Sequence, residues 1–248
     1  MKPRSTSNFS SAIRGASVLR RLGALALLAI ASGCATGPHP NPADPFEPFN
    51  RGVSRFNDVV DDAVLRPAAT AYREVLPSPV RTGVNNFFGN LSDVWSFVNS
   101  VLQLKLQNSA ETFMRVNVNT VFGLGGLLDI ATEAGIDRHS EDFGQTLGRW
   151  GVPSGPYVVL PLFGSSTLRD TAAWPIDRRG DLLRALNDIP VRNSLYVLRV
   201  IDGRASLLRA GQLLDDAALD KYSFTRDAFL QRRRNEVHDG NLPNDGNE

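Results

Sequence analysis

The chain predicts a mostly α fold in one domain, on three observations. Apolar residues recur at steps of three and four over long stretches, strand-like runs are almost absent, and serine, threonine or proline stands where several of those stretches begin. With 248 residues and 42% apolar side chains, one large core can be built. No internal repeat or linker divides roughly 46–231.

Taken in order, residues 1–33 carry Lys2, Arg4, Arg14, Arg20 and Arg21 and no acid. A basic segment ending in Arg20-Arg21, an apolar run from Leu22 to Ala31 and then small residues have the order of an export signal. The apolar run is about ten residues long against the roughly 20 needed to cross a bilayer, so a permanent span is not expected. Cys34 follows at once and is the only cysteine. One thiol can form neither an intramolecular disulfide nor a multi-thiolate metal site. Ala31-Ser32-Gly33-Cys34 resembles a bacterial lipobox, which implies removal of 1–33 and lipidation of Cys34; Ala35 after it resembles lipoproteins sorted to the outer membrane.

Without the five leading positives, 22 basic side chains face 26 acidic ones, a net charge of −4. Nucleic acid is thereby disfavoured as a partner, since phosphate binding needs clustered positive charge. Residues 34–45 hold four prolines between Pro38 and Pro45 and read as an extended tether. At the other end, residues 232–248 are polar without apolar periodicity and read as a disordered tail.

Within the body, Pro79 is a helix start, and Val84, Phe87, Leu91, Val94, Val98 and Val101 form a stripe over 80–104. Asparagines and serines make up most of the opposite face. Core packing and immersion in a membrane interface both fit this stripe, and the pattern alone does not choose. A second amphipathic run follows Pro190, and Ser109–Val121, Ser140–Trp150, Ser165–Ala173 and Thr225–Arg233 are further helix candidates. Tyr157–Leu160, bounded by Pro156 and Pro161, is the best strand.

Chemistry of the catalytic or metal-binding kind finds little to work with. His39 and His238 fall in the tether and tail, leaving His139, and no GxSxG elbow is present around Ser165 and Ser166. The adjacent pairs Asp61-Asp62 and Asp215-Asp216 diverge on a helix and read as solvated. Phe122-Gly123-Leu124-Gly125-Gly126 has the wrong spacing for a dinucleotide loop and reads as a sharp turn of apolar backbone. No metal, cofactor or catalytic residue is expected.

Several longer matches are more specific. Asp44–Arg51 (DPFEPFNR), Arg66-Pro67, Val118–Asp129 (VNTVFGLGGLLD), Glu141–Gly151 (EDFGQTLGRWG), Gly155–Pro161 (GPYVVLP) and Gly164–Asp170 (GSSTLRD) resemble, in order, the MlaA/VacJ lipoproteins. The resemblance covers roughly 44–235. It implies a ring-like domain of amphipathic helices around a central lipid channel, embedded in one leaflet of the outer membrane. It further implies removal of stray phospholipid from the outer leaflet, with a porin trimer and a soluble periplasmic lipid carrier as partners, and no bond broken. Its candidates for the channel are Asn50, Arg51, Gly123, Gly125, Gly126, Gly155, Tyr157, Phe163, Gly164 and Arg169. Two other readings are a porin-bracing lipoprotein without transport and an envelope esterase using Ser165 or Ser166 with His139.

Overall fold

The computed structural model describes residues 41–241; Cys34, the signal segment, most of the tether and the last seven residues lie outside the described residues. Helix α1 (Glu47–Val60) continues through a π-helical turn, Asp61–Leu65, into α2 (Arg66–Val75). Pro48 and Pro67 sit in first turns, where a missing N–H costs little. At the π turn the Arg66 N–H reaches back to the Asp61 carbonyl, and Pro67 has none to offer.

Helices α3 (Ser78–Leu102) and α4 (Leu106–Val121) form a long antiparallel hairpin. Its packing inverts the usual rule. On α3 the buried residues are Phe88, Asn90, Asp93, Ser96, Asn99 and Ser100, and on α4 they are Ser109, Thr112, Arg115 and Asn119. The helix-period spacing of these residues makes two facing polar stripes. Across the stripe that sequence periodicity picked out, Val84, Phe87, Leu91 and Val94 are only half-buried, while Val98, Val101 and Leu102 are exposed. The amide and hydroxyl face is therefore the packed one. Among the described residues, 22 polar or charged side chains are buried against 11 hydrophobic ones.

After a one-turn helix, α5 (Ile130–Glu133), comes α6 (Phe143–Arg149), which starts later than Ser140 because Asp142 is its cap and accepts the Gln145 N–H. Strand β1 (Tyr157–Leu160) appears as expected and pairs antiparallel with β2 (Gly164–Thr167), Tyr157 opposite Thr167 and Leu160 opposite Gly164. The helix expected from Ser165 thus begins only at α7 (Leu168–Gly180), capped by Thr167. A 3₁₀ turn, Leu182–Ala185, precedes α8 (Ile189–Ser206), α9 (Leu208–Ala217) and α10 (Lys221–His238).

Two small apolar clusters hold the helical ends together. Ala69, Ala205 and Leu208 pack with Tyr72, and Tyr157, Val159 and Tyr222 pack with Val53, Phe229 and Leu230. Around the second, α1 meets the sheet through amides as well as through Val53. Asn50, fully buried, accepts the Val159 N–H at 2.9 Å and donates to the Tyr157 carbonyl at 3.0 Å. Two turns on, Asn57 accepts from Leu162 N at 2.7 Å and donates to Leu160 O at 3.0 Å. The free edge of β1 is thus paired in part by the Asn50 side chain and in part by the Ala43 carbonyl, which accepts the Tyr157 N–H at 2.9 Å, while Asn57 holds the turn that follows.

Both terminal expectations need correction within the described residues. The polar segment from Arg232 is helical to His238, because its buried face is built from Arg226, Arg233 and Val237 and so shows no apolar period. Likewise the end of the tether is docked: Asp44, 2% exposed, accepts from Asn50 at 2.8 Å and from the Tyr222 hydroxyl at 2.5 Å. Nor is Asp61 solvated, since Arg204 grips it through two bonds of 2.6 and 2.7 Å.

Asn50→Ala leaves two backbone groups of β1 and one Asp44 oxygen without their partner, so stability should fall by about 3 kcal/mol. Denaturant unfolding of purified wild type and variant measures this, and a loss below about 1 kcal/mol would show that water replaces the amide.

Candidate functional site

The outward apolar surface is concentrated at chain reversals. Leu104 and Leu106 at the tip of the α3–α4 hairpin are each 81% exposed, and Val121, Phe122 and Leu124 crowd the end of α4. Three of the apical residues have left-handed backbone: Leu104 (φ 58°), Leu124 (φ 55°) and Leu162 (φ 69°). A non-glycine residue there costs roughly 1–2 kcal/mol. Strain of this kind in exposed leucines aims apolar side chains outward, and it points to contact with something apolar. Trp150 joins the same tip, donating its indole N–H to the Leu102 carbonyl at 3.1 Å.

Inside the hairpin lies an ionic knot. Arg115, 1% exposed, donates to both Asp129 oxygens at 2.9 Å, to Thr132 Oγ1 at 3.0 Å and to the Ile136 carbonyl at 2.5 Å. Asn119 donates to Asp129 and accepts from Ala131 N, so α4 holds the start of α5 through two side chains. Asp93 from α3 pairs with Arg138 at 2.9 Å and stands 4.0 Å from Arg115 Nε. Burial raises the Asp93 carboxyl above its ordinary value, with Arg138 opposing. At Asp129 burial also raises the pKa, but hydrogen bonds from Thr132 and Asn119 and the charge of Arg115 prevail and bring it down to about 2. A second polar group, Asn99, Gln103, Lys105, Glu141 and Thr146, joins α3 to α6, with Lys105 bonded to Glu141 at 2.7 Å and to Asp239 at 2.6 Å.

The residues singled out from sequence fall into two groups. Gly123, Gly125 and Gly126 close α4: the Gly126 N–H returns to the Asn119 carbonyl, and with φ at +94° and Asn90 of α3 pressed against it, a Cβ on Gly126 has no room. The remainder surround the β-hairpin. Tyr157 is 1% exposed and bonds Ser165 Oγ at 2.8 Å, while Phe163, 64% exposed, meets Trp174 edge-on at 4.9 Å. Gly164, φ +80°, completes the reversal after Leu162. Arg169 lies with Gly155 in the wall of a cavity of about 360 Å³ and donates to Asp170 at 3.0 Å. Asn50 and Arg51 face the protein: Arg51 forks onto Asp220 at 2.6 and 3.1 Å, bonds Glu47 at 2.7 Å and lies 4.4 Å above the Tyr222 ring. Cys34 lies outside the described residues.

Other side chains matter that sequence reasoning passed over. Arg233 binds Asp142 through two bonds of 2.6 and 2.7 Å and Asp170 at 2.8 Å, tying α10 to α6 and α7. Burial lowers the Arg233 pKa, yet Asp142 and Asp170 together raise it above the usual guanidinium value. The signal for Arg115 was present in the three-residue spacing of Ser109, Thr112 and Arg115; it was a polar period where an apolar one was sought. For the esterase reading, each supposed member has another partner: His139 pairs with Glu111 at 2.5 Å, Ser165 with Tyr157, and Ser166 with Thr171.

Polar seams within, strained leucines without, and no helix among the described residues long and apolar enough to cross a membrane define a class. It is that of helical proteins packed through polar side chains and carrying exposed apolar residues on their outer surface. A family model described as MlaA lipoprotein matches residues 42–236. The chain belongs to the MlaA lipoprotein family. The protein of Escherichia coli (strain K12) named "Intermembrane phospholipid transport system lipoprotein MlaA" is 38% identical over 219 residues, covering 86% of each chain. The protein of that name in Shigella flexneri is also 38% identical, over 225 residues and 86% of each chain. A solved chain from work described as "Structural basis for maintenance of bacterial outer membrane lipid asymmetry" superposes with a TM-score of 0.69 at 38% identity, covering 78% of this chain and 98% of that one.

The Asp129 carboxyl is depressed on folding, from 3.8 to about 2. Its contribution is therefore complete above about pH 4 and is lost as pH falls through 2. That amounts to roughly 2 kcal/mol. Asp129→Asn should lower stability at pH 6 and remove this component of the pH dependence between 4 and 2, as read by guanidinium unfolding across that range.

Proposed function

We propose that the mature protein is an outer-membrane lipoprotein that removes mislocalised phospholipid from the outer leaflet and passes it to a soluble periplasmic carrier, maintaining lipid asymmetry. The observation that carries this reading is the inverted α3–α4 hairpin, polar within and apolar without. Lipid tails offer no hydrophobic drive between helices, so helices immersed in them associate through packing and hydrogen bonds. The names borne by the relatives agree with a phospholipid cargo.

In this reading acyl chains on Cys34 bring the protein to the periplasmic-facing leaflet, and the apical leucines seat it there. The amphipathic helices form a ring-like wall around a lipid channel. Gly123, Gly125, Gly126, Gly155 and Gly164 shape its rim, Phe163 and Tyr157 give it aromatic surface, and Arg169 attends the head group. Asn50 and Arg51 set the opening from behind, by fixing α1 against β1 and α10. A porin trimer supports the assembly from the side. No covalent step is needed; an apolar wall receives the acyl chains while polar side chains receive a head group that is costly to strip of hydrogen bonds.

Transfer of labelled phospholipid from donor vesicles through the reconstituted protein to the carrier tests this. Transfer should require the protein, and deletion of the gene should expose phospholipid at the cell surface, unrescued by Cys34→Ala. Porin association with no transfer would instead favour a bracing role. The apical leucines give a separate test: Leu104→Gly, Leu124→Gly and Leu162→Gly together should lower partition onto phospholipid vesicles at least about a hundredfold while relieving strain, since each leucine buries roughly 1.5–3 kcal/mol of apolar surface. Unchanged partition in a flotation assay counts against leaflet insertion at these tips.

A further inference from the structure

Between the β-hairpin, α7 and α10 lies a second cavity, of about 290 Å³. Its wall carries three carboxylates, Asp142, Asp170 and Asp177, and two guanidinium groups, Arg232 and Arg233. Two of the carboxylates are already spent, for Arg233 holds Asp142 at 2.6 and 2.7 Å and Asp170 at 2.8 Å. Asp177 differs. Its Oδ1 accepts from the Trp95 indole at 2.8 Å and the Phe143 N–H at 2.7 Å, whereas among the described residues its Oδ2 accepts nothing and no cation pairs with it. Across the wall Arg232 pairs with Glu236 at 3.2 Å and is 72% exposed. One carboxylate oxygen without a hydrogen bond and one largely exposed guanidinium, held only by an i,i+4 pair, thus stand on the same cavity.

Apart from Ser165 and Ser166, the remaining wall is apolar. Leu160, Phe163, Trp174 and Phe229 line it, with the exposed Phe163–Trp174 pair at its lip. A ligand made of an ammonium, an anion and an attached hydrocarbon matches these three features together. A metal ion does not, since among the described residues no three His, Cys, Asp or Glu side chains are grouped so that they could hold one. We propose that this cavity receives the head group of an amine-bearing phospholipid, with the ammonium on Asp177 Oδ2, the phosphate toward Arg232 and the upper acyl stems against Phe163 and Trp174. The proposal rests on the phospholipid reading and adds a head-group preference to it. Burial raises the Asp177 pKa ahead of the opposing bonds from Trp95 and Phe143, with the charge of Asp142 adding to the rise and that of Arg233 opposing it. An ammonium that donates to Oδ2 restores the ionised form.

Native mass spectrometry of the full chain, loaded from an equimolar mixture of phosphatidylethanolamine and phosphatidylglycerol, tests the assignment. Wild type should retain the amine lipid about tenfold over the glycerol lipid, the size of one charge-assisted hydrogen bond. Asp177→Asn keeps the Oδ1 acceptor for Trp95 and Phe143, so it should fold, retain lipid and bring the ratio near one. Arg232→Gln should reduce retention of both lipids without changing their ratio, because both carry the phosphate. An equal ratio in wild type, or an unchanged preference in Asp177→Asn, overturns the amine site while leaving transport intact. Displacement of the lipid by equimolar free phosphoethanolamine overturns the lipid as the source of the head group. Absence of retained phospholipid from wild type and variants alike overturns the transport reading and this one with it.

Discussion

The Arg115–Asp129 pair is the constraint on which both the hairpin and the segment after its glycine turn depend. Arg115 satisfies α4, the start of α5 and the carbonyl of Ile136 with one side chain, and so fixes where the chain emerges from that turn. In water, two helices joined through amides and buried charge would give up the hydrophobic drive that normally pairs them. In the proposed leaflet setting that drive is absent anyway, and the hydrogen bonds of the polar seam become the specific source of cohesion. Within the seam, Asn90 Oδ1, Asp93 Oδ2, Ser100 Oγ, Thr112 Oγ1 and Arg115 Nε nevertheless find no hydrogen-bond partner among the described residues. The glycine turn, the leucine apices and the polar bridge to α6 are consistent with that one inversion.

Periodicity made most long helices legible, since Ser78–Leu102, Leu106–Val121 and Ile189–Ser206 all carry three- and four-residue steps. It could not say which face packs. A helix wheel records contrast between faces, and the sign of that contrast belongs to the surroundings: the stripe of Val84 to Val101 looks the same whether protein or lipid lies against it. Elsewhere the pattern failed for lack of apolar contrast. Helix α10, expected only over Thr225–Arg233, buries arginines at its end, β2 is Gly-Ser-Ser-Thr, and α1 meets the sheet largely through asparagines, so their full extent does not announce itself in hydropathy.

For the candidate site, motif resemblance named positions and the structure supplied their neighbours. Asn50 and Arg51 proved to be fastenings between α1, β1 and α10, while Phe163 proved to be half of an exposed aromatic pair. Asp177 was invisible because a lone aspartate in a stretch without a motif carries no signal. Its meaning comes from Trp95 and Phe143, which are 82 and 34 residues away and occupy one oxygen while leaving the other open.

The two asparagines of α1 have a consequence for how this surface meets other proteins. A two-stranded sheet leaves outer N–H and C=O groups that can template another strand, and many proteins recruit peptides, or aggregate, through such an edge. Here Asn50 gives the edge of β1 the donor and acceptor that a neighbouring strand would supply, and Asn57, one heptad on, does the same for the turn that follows. The helix is thus a permanent counterfeit strand. With the Tyr157 N–H taken by the Ala43 carbonyl as well, this edge of β1 is a poor template for a further strand, and contact on this side falls to side chains.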